Sequence, residues 1–199
     1  MLNFDFSKEY ILEDDFVRLS PLRLEHTAKL GEISNNSSIW IYFLENGMGL
    51  KHLNPYIQTA VQNRKMGKEY PFIVFDKVQN SYAGTTRLYD VIPALQSIKL
   101  GHTWYGKSFW GTGLNKHCKY LLFEFAFEKM GAVRIGFGVH AENIRSINAL
   151  ESIGCKKEGA LRDFLLKVDG TGRTDLILLS LLRKEWIKNI KNELRLKLK

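Results

Sequence analysis

The 199-residue chain contains little of what marks secreted, metal-stapled or membrane-spanning proteins. Its two cysteines, Cys118 and Cys155, have neither the spacing of metal ligands nor the density of a disulfide scaffold. The densest apolar run, residues 176–182, is far shorter than the roughly 20 residues that a membrane helix needs. The first residues lack the basic and apolar regions of a secretory signal. We therefore expect no metal, no membrane partner and a cytoplasmic location.

Linker sequences and internal repeats are also missing. No stretch is rich enough in proline, glycine and serine to separate two domains, and no internal period is visible. A hydrophobic fraction of 45% in a chain of this length is typical of one globular domain with a sizeable core. We expect one domain over residues 1–186 and a basic C-terminal tail over residues 187–199. The sequence is compatible with a monomer or a homodimer.

Positive charge exceeds negative charge by a formal +8 at pH 7. This balance suits a nucleic acid, an anionic membrane or an anionic small ligand, so charge alone selects none of them. The basic residues become dense at the end of the chain, at Lys184, Lys188, Lys191, Arg195, Lys197 and Lys199. We interpret this end as a solvated tail, because terminal runs of charge are commonly solvated, and nucleic-acid binding as the weaker alternative.

Hydrophobic periodicity predicts a mixed order of helices and strands. Helices are expected at 22–33, 50–61, 114–129 and 142–153, and strands at 16–19, 70–75, 82–88, 97–105, 133–139, 160–168 and 174–182. The polar turn at residues 169–172 predicts that the last two strands form a hairpin. This order fits an α/β fold of the α+β type, with a single mostly antiparallel central sheet and helices on both faces.

A loop rich in glycine, residues 106–113, joins an expected strand to an expected helix; we call it the glycine loop. Gly111 and Gly113 let the backbone approach a ligand closely. The helix that follows offers free N–H groups and the positive end of its dipole, which favours a pyrophosphate. Three nearby lysines are expected to attract more distant phosphates: Lys107, Lys116 and Lys119.

Two better-known phosphate motifs do not fit the glycine loop. A P-loop needs Lys and then Ser or Thr after its last glycine, whereas Gly113 is followed by Leu114 and Asn115. A Rossmann fingerprint needs a third glycine where this chain has Lys116, and it belongs near the first strand of a βαβ unit. A shorter loop of the kind that binds coenzyme A remains, beside the alternative of a plain helix-entry turn.

A second motif downstream makes the pattern resemble a known family. The chain has Val-His-Ala-Glu-Asn-Ile-Arg-Ser at residues 139–146, Glu-Ser-Ile-Gly-Cys at 151–155 and Glu-Gly at 158–159. Together with Trp-Gly-Thr-Gly at 110–113 and Gly-His-Thr-Trp-Tyr at 101–105, these segments resemble the GNAT superfamily of acetyltransferases. The resemblance is to the branch whose members acetylate the N-termini of ribosomal proteins, and it extends over residues 12–186.

The resemblance implies acetyl-CoA as acyl donor and roles for individual residues. The backbone of Thr103, Trp104 and Tyr105 would pair with the pantetheine arm as an added strand does. The pyrophosphate would be held by the main chain of Trp110, Gly111, Thr112, Gly113, Leu114 and Asn115. The candidate catalytic residues are Asn143, which would hydrogen-bond the cofactor near its pantetheine end, and Ser146, which would assist the leaving sulfur.

Plainer interpretations of the same residues stay open at this point. Asn143 is also a suitable helix N-cap, and Ser146 an ordinary residue of a first helical turn. The side chains of Trp104 and Trp110 suit a hydrophobic core. Cys118 is expected to be a core thiol and not a nucleophile, because it lies inside a predicted helix with no recognisable His/Asp partners.

Several residues are candidates for the general base. Relatives in this branch often carry a glutamate where this chain has Lys99, so an acidic base is absent from that position. Asp163, Asp175 and His102 are alternatives, and water is another route for the proton.

The sequence therefore predicts direct transfer of an acetyl group from acetyl-CoA to a primary amine. The branch favours the N-terminal α-amine of a protein or peptide, whose pKa of about 8 makes it easier to deprotonate than a lysine at about 10.4. A small amine (a polyamine, an amino sugar or an antibiotic) and a non-catalytic coenzyme A-binding module are the alternatives. Residues 35–56 and 89–97 are the expected source of acceptor specificity.

Overall fold

A computed structural model describes residues 2–167 and 169–198 of the chain. The strands are β1 (Leu12–Glu13), β2 (Val17–Pro21), β3 (Glu69–Asp76), β4 (Ser81–Ile92), β5 (Ser97–Tyr105), β6 (Arg134–His140), β7 (Lys156–Leu166) and β8 (Arg173–Leu182). The helices are α1 (His26–Ser34), α2 (Ser37–Trp40), α3 (Gly49–Lys65), α4 (Leu114–Glu124), α5 (Ile144–Ser152), α6 (Arg183–Glu185) and α7 (Lys191–Leu196). Two π-helical turns, Phe125–Lys129 and Trp186–Ile190, extend α4 and join α6 to α7.

The strands form one eight-stranded sheet in the order β1-β2-β3-β4-β5-β6-β8-β7. All neighbouring pairs are antiparallel except β5 and β6, which are parallel. Each face buries its own hydrophobic cluster: one includes α4, and the other is formed with α1, α2 and α3. The predicted fold class, a single mostly antiparallel sheet with helices on both faces, is confirmed.

The parallel pair at the centre of the sheet separates along its length. Residues 97–99 of β5 pair with residues 134–136 of β6, and the pairing stops there. Both strands continue, β5 to Tyr105 and β6 to His140. We call the diverging segments, residues 100–105 and 137–140, the fork. Because diverging strands do not satisfy each other's backbone groups, the fork offers N–H and C=O groups to a ligand.

A β-bulge in β5 lies on one side of the fork. Thr85 pairs with Trp104 and Arg87 with Gly101, so two residues of β5 oppose Thr86 of β4. His102 takes the left-handed backbone conformation there, with φ of 48°. A bulge re-aims the side chains that follow it. Trp104 accordingly packs in the cluster of α1 to α3, while the hydroxyl of Thr103 lies within reach of α4.

The C-terminal segment, which was expected to be a solvated basic tail, packs against the rest of the protein. Trp186 and Leu194 are fully buried in the cluster that includes α4, and the Trp186 indole donates to Glu128 Oε1 at 2.8 Å. Lys191 Nζ forms ion pairs of 2.9 Å with Glu124 and 2.7 Å with Glu128. Residues 187–198 are therefore largely helical and docked, because apolar positions are interleaved with the basic ones. Lys199 lies outside the described residues.

Several element boundaries differ from the prediction. The helix expected from residue 22 begins at His26, because the Leu22 amide bonds to Pro71 O beside the sheet. The strand expected at 160–168 runs from Lys156 to Leu166, and Val168 lies outside the described residues. Over residues 2–167 and 169–198, no helix has both the length and the apolar character needed to cross a membrane.

Candidate active site

The glycine loop is fastened to the end of β5. The Trp110 indole donates to Tyr105 O at 3.0 Å, and the Tyr105 hydroxyl donates to Asn115 Oδ1 at 3.3 Å. Gly111 and Gly113 have φ values of 79° and 90°, which glycine adopts without the strain that a side chain would add. The Tyr105 carbonyl, which the sequence offered to a pantetheine arm, is thus already engaged by Trp110.

The last three amides of the glycine loop, at residues 111–113, have no hydrogen-bond acceptor among the described residues. A Cβ built at Gly111 would meet no atom within 4 Å, so there is open space beside these amides. Free N–H groups at the start of α4, with the positive end of its dipole, suit a pyrophosphate. The residues present therefore fit the predicted cofactor phosphates.

Lys119 does not belong to this phosphate environment, and the expectation for it is wrong. Its side chain is buried, with 5% of the residue exposed, and Nζ donates to Thr103 Oγ1 at 3.4 Å. The residue follows the buried Cys118 on α4 and faces the sheet. Lys107 is exposed and Lys116 partly exposed near the loop, as a role in long-range attraction requires.

The second motif begins α5. Asn143 Oδ1 accepts the backbone N–H of Ser146 at 3.1 Å, so the N-cap interpretation of Asn143 is confirmed. Ser146 is partly exposed, and within residues 2–167 and 169–198 its hydroxyl takes part in no hydrogen bond. The contacts of Asn143 and Ser146 with the cofactor stay predictions.

Arg145, for which the sequence predicted no role, connects the two motifs. Its guanidinium carbon lies 3.6 Å from the centre of the Trp110 ring, a cation–π contact between α5 and the glycine loop. Burial lowers the pKa of Arg145. The signal in the sequence was its position inside the second motif, between Asn143 and Ser146. The two motifs are therefore neighbours in space.

The side chains of Trp104 and Trp110 pack against other parts of the protein. Trp104 is 3% exposed, and its ring centre lies 5.1 Å from that of Trp40 on α2. This confirms the core interpretation for the Trp104 side chain. Trp110 is partly exposed between the loop and Arg145.

His102 is the base candidate that lies within the fork. Burial, with the nearby Arg87 acting in the same direction, lowers the pKa of His102 to about 4. Its ring centre is 5.2 Å from that of Tyr89, whose pKa burial raises to about 12. His102 is therefore neutral at pH 7 and weakly basic.

The other residues considered for the chemistry have local partners. Asp175 Oδ1 accepts the Asp163 amide at 2.9 Å, which fixes the irregular pairing of β7 and β8. Lys99 pairs with Asp90 at 2.9 Å on the surface. Cys118 is fully buried, and burial raises the pKa of its thiol to about 12, which confirms a core thiol. The general base stays a prediction.

A cleft of about 260 Å³ lies at the β6 end of the fork. We call it the hairpin cleft; its lining residues are Ile41, Tyr42, His140, Glu142, Lys167 and Asp169. The Tyr42 and His140 rings lie 5.1 Å apart, and Lys167 pairs with Glu142 at 3.2 Å. Ile41 and Tyr42 belong to the segment 35–56 that was expected to set acceptor specificity, and no lining residue comes from 89–97. Lys167 and Asp169 lie at the β7–β8 turn, to which the sequence gave no role, and the source of specificity stays a prediction. In the described parts of the chain, no group of three or more His, Cys, Asp or Glu side chains is placed to hold a metal.

Comparison with known proteins identifies the family. The family model of the acetyltransferase (GNAT) domain matches residues 17–156, which is more than two thirds of the chain. The protein belongs to the GNAT family, and the resemblance predicted from the two motifs is confirmed.

Individual relatives agree with this assignment. The chain is 32% identical over 106 residues to "Probable N-acetyltransferase YjcK" of Bacillus subtilis (strain 168), covering 52% of this chain and 58% of YjcK. The match therefore spans little more than half of the relative's length.

Solved structures share the fold over nearly the whole chain. A GCN5-related N-acetyltransferase from Brucella melitensis has a TM-score of 0.88 at 24% identity, covering 100% of this chain and 90% of that one. Mycobacterium smegmatis RimJ, solved in complex with CoA-disulfide, has a TM-score of 0.78 at 21% identity, covering 95% and 93%. At these identities the likeness concerns the fold.

Proposed function

We propose that this protein transfers the acetyl group of acetyl-CoA directly to a primary amine, the N-terminal α-amine of a protein or peptide. The observation that carries the proposal is the position of the free glycine-loop amides at the β5 end of the fork. N–H groups that can bind a phosphate therefore lie next to strand edges with unpaired backbone groups. A molecule with a pyrophosphate and an amide-containing arm requires this arrangement.

The donor side of the site follows from these groups. The amides of residues 111–113 hold the pyrophosphate, and Arg145 braces the loop against α5 through Trp110. The pantetheine arm lies in the fork, where strand groups are available to its amides. Ser146, whose hydroxyl has no partner among the described residues, is the donor to the sulfur as the acetyl group leaves.

The reaction itself needs a neutral amine. The amine attacks the thioester carbon, a backbone N–H of the fork polarises the carbonyl oxygen, and the carbon–sulfur bond breaks. An α-amine with a pKa of about 8 is neutral in an appreciable fraction at pH 7 to 8. Water takes its proton in this scheme, because His102, with a pKa of about 4, is a weak acceptor.

The hairpin cleft supports a peptide acceptor. It opens to solvent at Ile41, which is 48% exposed, and so admits an extended chain. Glu142 and Asp169 place two carboxylates against one lysine, Lys167, on its walls. That balance attracts the positive charge of an incoming ammonium group.

The test is thiol release from acetyl-CoA with a panel of acceptors. The panel contains one lysine-containing peptide with a free N-terminus, the same peptide with a blocked N-terminus, a polyamine, an amino sugar and a no-acceptor control. Release with the free peptide and not with the blocked one is the expected result. Release with the small amines alone would overturn the peptide assignment. No thiol release with any acceptor, while coenzyme A still binds, would overturn the proposal that the protein is a transferase.

A further inference from the structure

Lys119 lies under the fork from the α4 side of the sheet. Its Nζ is 3.4 Å from Thr103 Oγ1 on one arm of the fork and 5.8 Å from the ring centre of Phe137 on the other arm. Extending the register of the paired residues, in which Lys99 faces Gly136, would set Thr103 opposite His140. The amino group therefore lies beneath the segment where the strands have parted.

The amino group has few partners for its charge. An ammonium group carries three N–H donors, and the long contact to Thr103 uses one of them. Over residues 2–167 and 169–198, no carboxylate lies within 4.0 Å of Lys119 Nζ. A buried positive charge without a counter-ion favours any ligand that brings negative charge to it.

The titratable groups that face Lys119 do not supply that negative charge. They are Cys118 on the same helix and Cys155 just before β7, and burial raises the pKa of each thiol to about 12. The sheet presents the hydroxyls of Thr86 and Thr103, which hydrogen-bond each other at 2.7 Å. Burial lowers the pKa of Lys119 to about 8, so the group is mostly protonated at pH 7.

We infer that Lys119 is a further catalytic residue, whose ammonium group stabilises the negative charge on the coenzyme A sulfur as the acetyl group leaves. The inference rests on the proposed function. In that step the acceptor nitrogen forms a bond to the acetyl carbon, and the carbon–sulfur bond breaks with its electron pair on sulfur. The acceptor's proton passes to water, and Lys119 keeps its own proton while it donates an N–H to the thiolate. Ser146 approaches from α5, so the two donors act from different elements.

A first experiment measures the pKa of the coenzyme A thiol in the complex, from the ultraviolet absorbance of the thiolate. An opposite charge in contact lowers the pKa of an acidic group by about 1 to 3, and the reference for the thiol is coenzyme A free in solution. We expect this lowering in the wild type and its loss in Lys119→Met, whose unbranched side chain is one heavy atom shorter and carries no charge. Lys129→Met, at the exposed end of the same helical run, is the matched control and should behave as the wild type.

A second experiment measures turnover, coenzyme A affinity and melting temperature in the same variants. Lys119→Met should fold and bind coenzyme A as the wild type does, while kcat falls by about 100-fold. Lys119→Gln keeps an N–H donor and should recover part of that loss. Since the protonated amine is the active form, wild-type kcat should decline above a pH of about 8, and this decline should be absent in both variants.

The outcomes separate the two proposals. Equal thiol pKa values in wild type and Lys119→Met, with turnover unchanged, would overturn the role of Lys119 and leave the proposed function intact. A wild type that binds coenzyme A without transferring acetyl to any amine would overturn both. A Lys119→Met protein that fails to fold would point to a structural role, and Lys119→Gln with full activity at every pH would also contradict the inference.

Discussion

At the start of α5, Asn143 has a structural role and Ser146 has the proposed chemical role. Asn143 uses Oδ1 to cap the helix, which fixes the position of the backbone at Ser146. The Ser146 hydroxyl is left for a ligand. A sequence motif therefore specifies one residue that shapes the site and another that is available to act in it.

We expect Ser146→Ala to lower kcat by about 10-fold, with coenzyme A affinity and melting temperature retained. One hydrogen bond to the leaving sulfur is lost, and no bond within the described residues is broken. Steady-state kinetics measures kcat, and calorimetry measures the coenzyme A affinity and the melting temperature. Ser152→Ala, which removes an exposed hydroxyl bonded to Ala149 O at 2.8 Å on the same helix, is the control. Unchanged turnover in Ser146→Ala would remove Ser146 from the mechanism.

The sequence predicted which residues form the proposed cofactor site better than it predicted the directions of their side chains. Gly111 and Gly113 were predictable, since a backbone site leaves a glycine signature. Lys119 was not, because its distance from the loop in sequence says nothing about the face of α4 on which it falls. The face is set by packing against the sheet, and the stacking of Arg145 on Trp110 likewise depends on two distant segments meeting.

Among the elements, the glycine loop depends on two glycines, Gly111 and Gly113, that have positive φ. Gly111 holds a φ of 79° and has open space where a Cβ would lie. That space is where the proposed pyrophosphate approaches the amides.

Gly111→Ala should raise the dissociation constant for coenzyme A by about 10-fold. The methyl group enters the phosphate space, and the left-handed conformation costs an alanine about 1 kcal/mol. Titration calorimetry measures the constant. Gly159→Ala is the control, because that glycine on β7 also has open space around it and does not require a positive φ. Identical affinities in the two variants would contradict a phosphate site at the glycine loop.

The elements themselves and the β7–β8 hairpin were largely predictable, whereas the pairing of strands distant in sequence was not. The strand at 97–105 was predicted with the bounds that β5 has, because alternation and the glycines at its end are local signals. The fork depends on β8 lying between β6 and β7 and on the parallel pairing of β5 with β6, which are long-range choices. The docking of the C-terminal segment depends on Trp186 reaching Glu128 across the fold.

In the molecule as a whole, a polar cluster ties together the three strands beyond the fork. Glu158 on β7 accepts hydrogen bonds from Arg134 on β6, one of them at 2.8 Å, and from Ser180 on β8 at 2.7 Å. The Arg134 guanidinium lowers the pKa of Glu158 from 4.5 to about 2. The pair is 39% and 37% exposed, so solvent screening limits its contribution to stability.

This cluster predicts a pH dependence of stability. A carboxyl whose pKa is lower in the folded state stabilises the fold above its unfolded pKa, and that contribution is lost as pH falls from about 4.5 to about 2. Wild type should exceed Glu158→Gln in unfolding free energy by about 1 kcal/mol or less at neutral pH, with the difference vanishing toward pH 2. Urea unfolding at a series of pH values measures it. A constant difference down to pH 2 would contradict the assignment.

The central part of the proposed function is acetyl transfer to an α-amine. The most direct measurement is the mass of a peptide with a free N-terminus and one internal lysine, before and after incubation with the protein and acetyl-CoA, with fragmentation to locate the change. We expect one added acetyl group on the N-terminal nitrogen and none on the lysine. An unmodified peptide, or an acetyl group on the lysine alone, would contradict it.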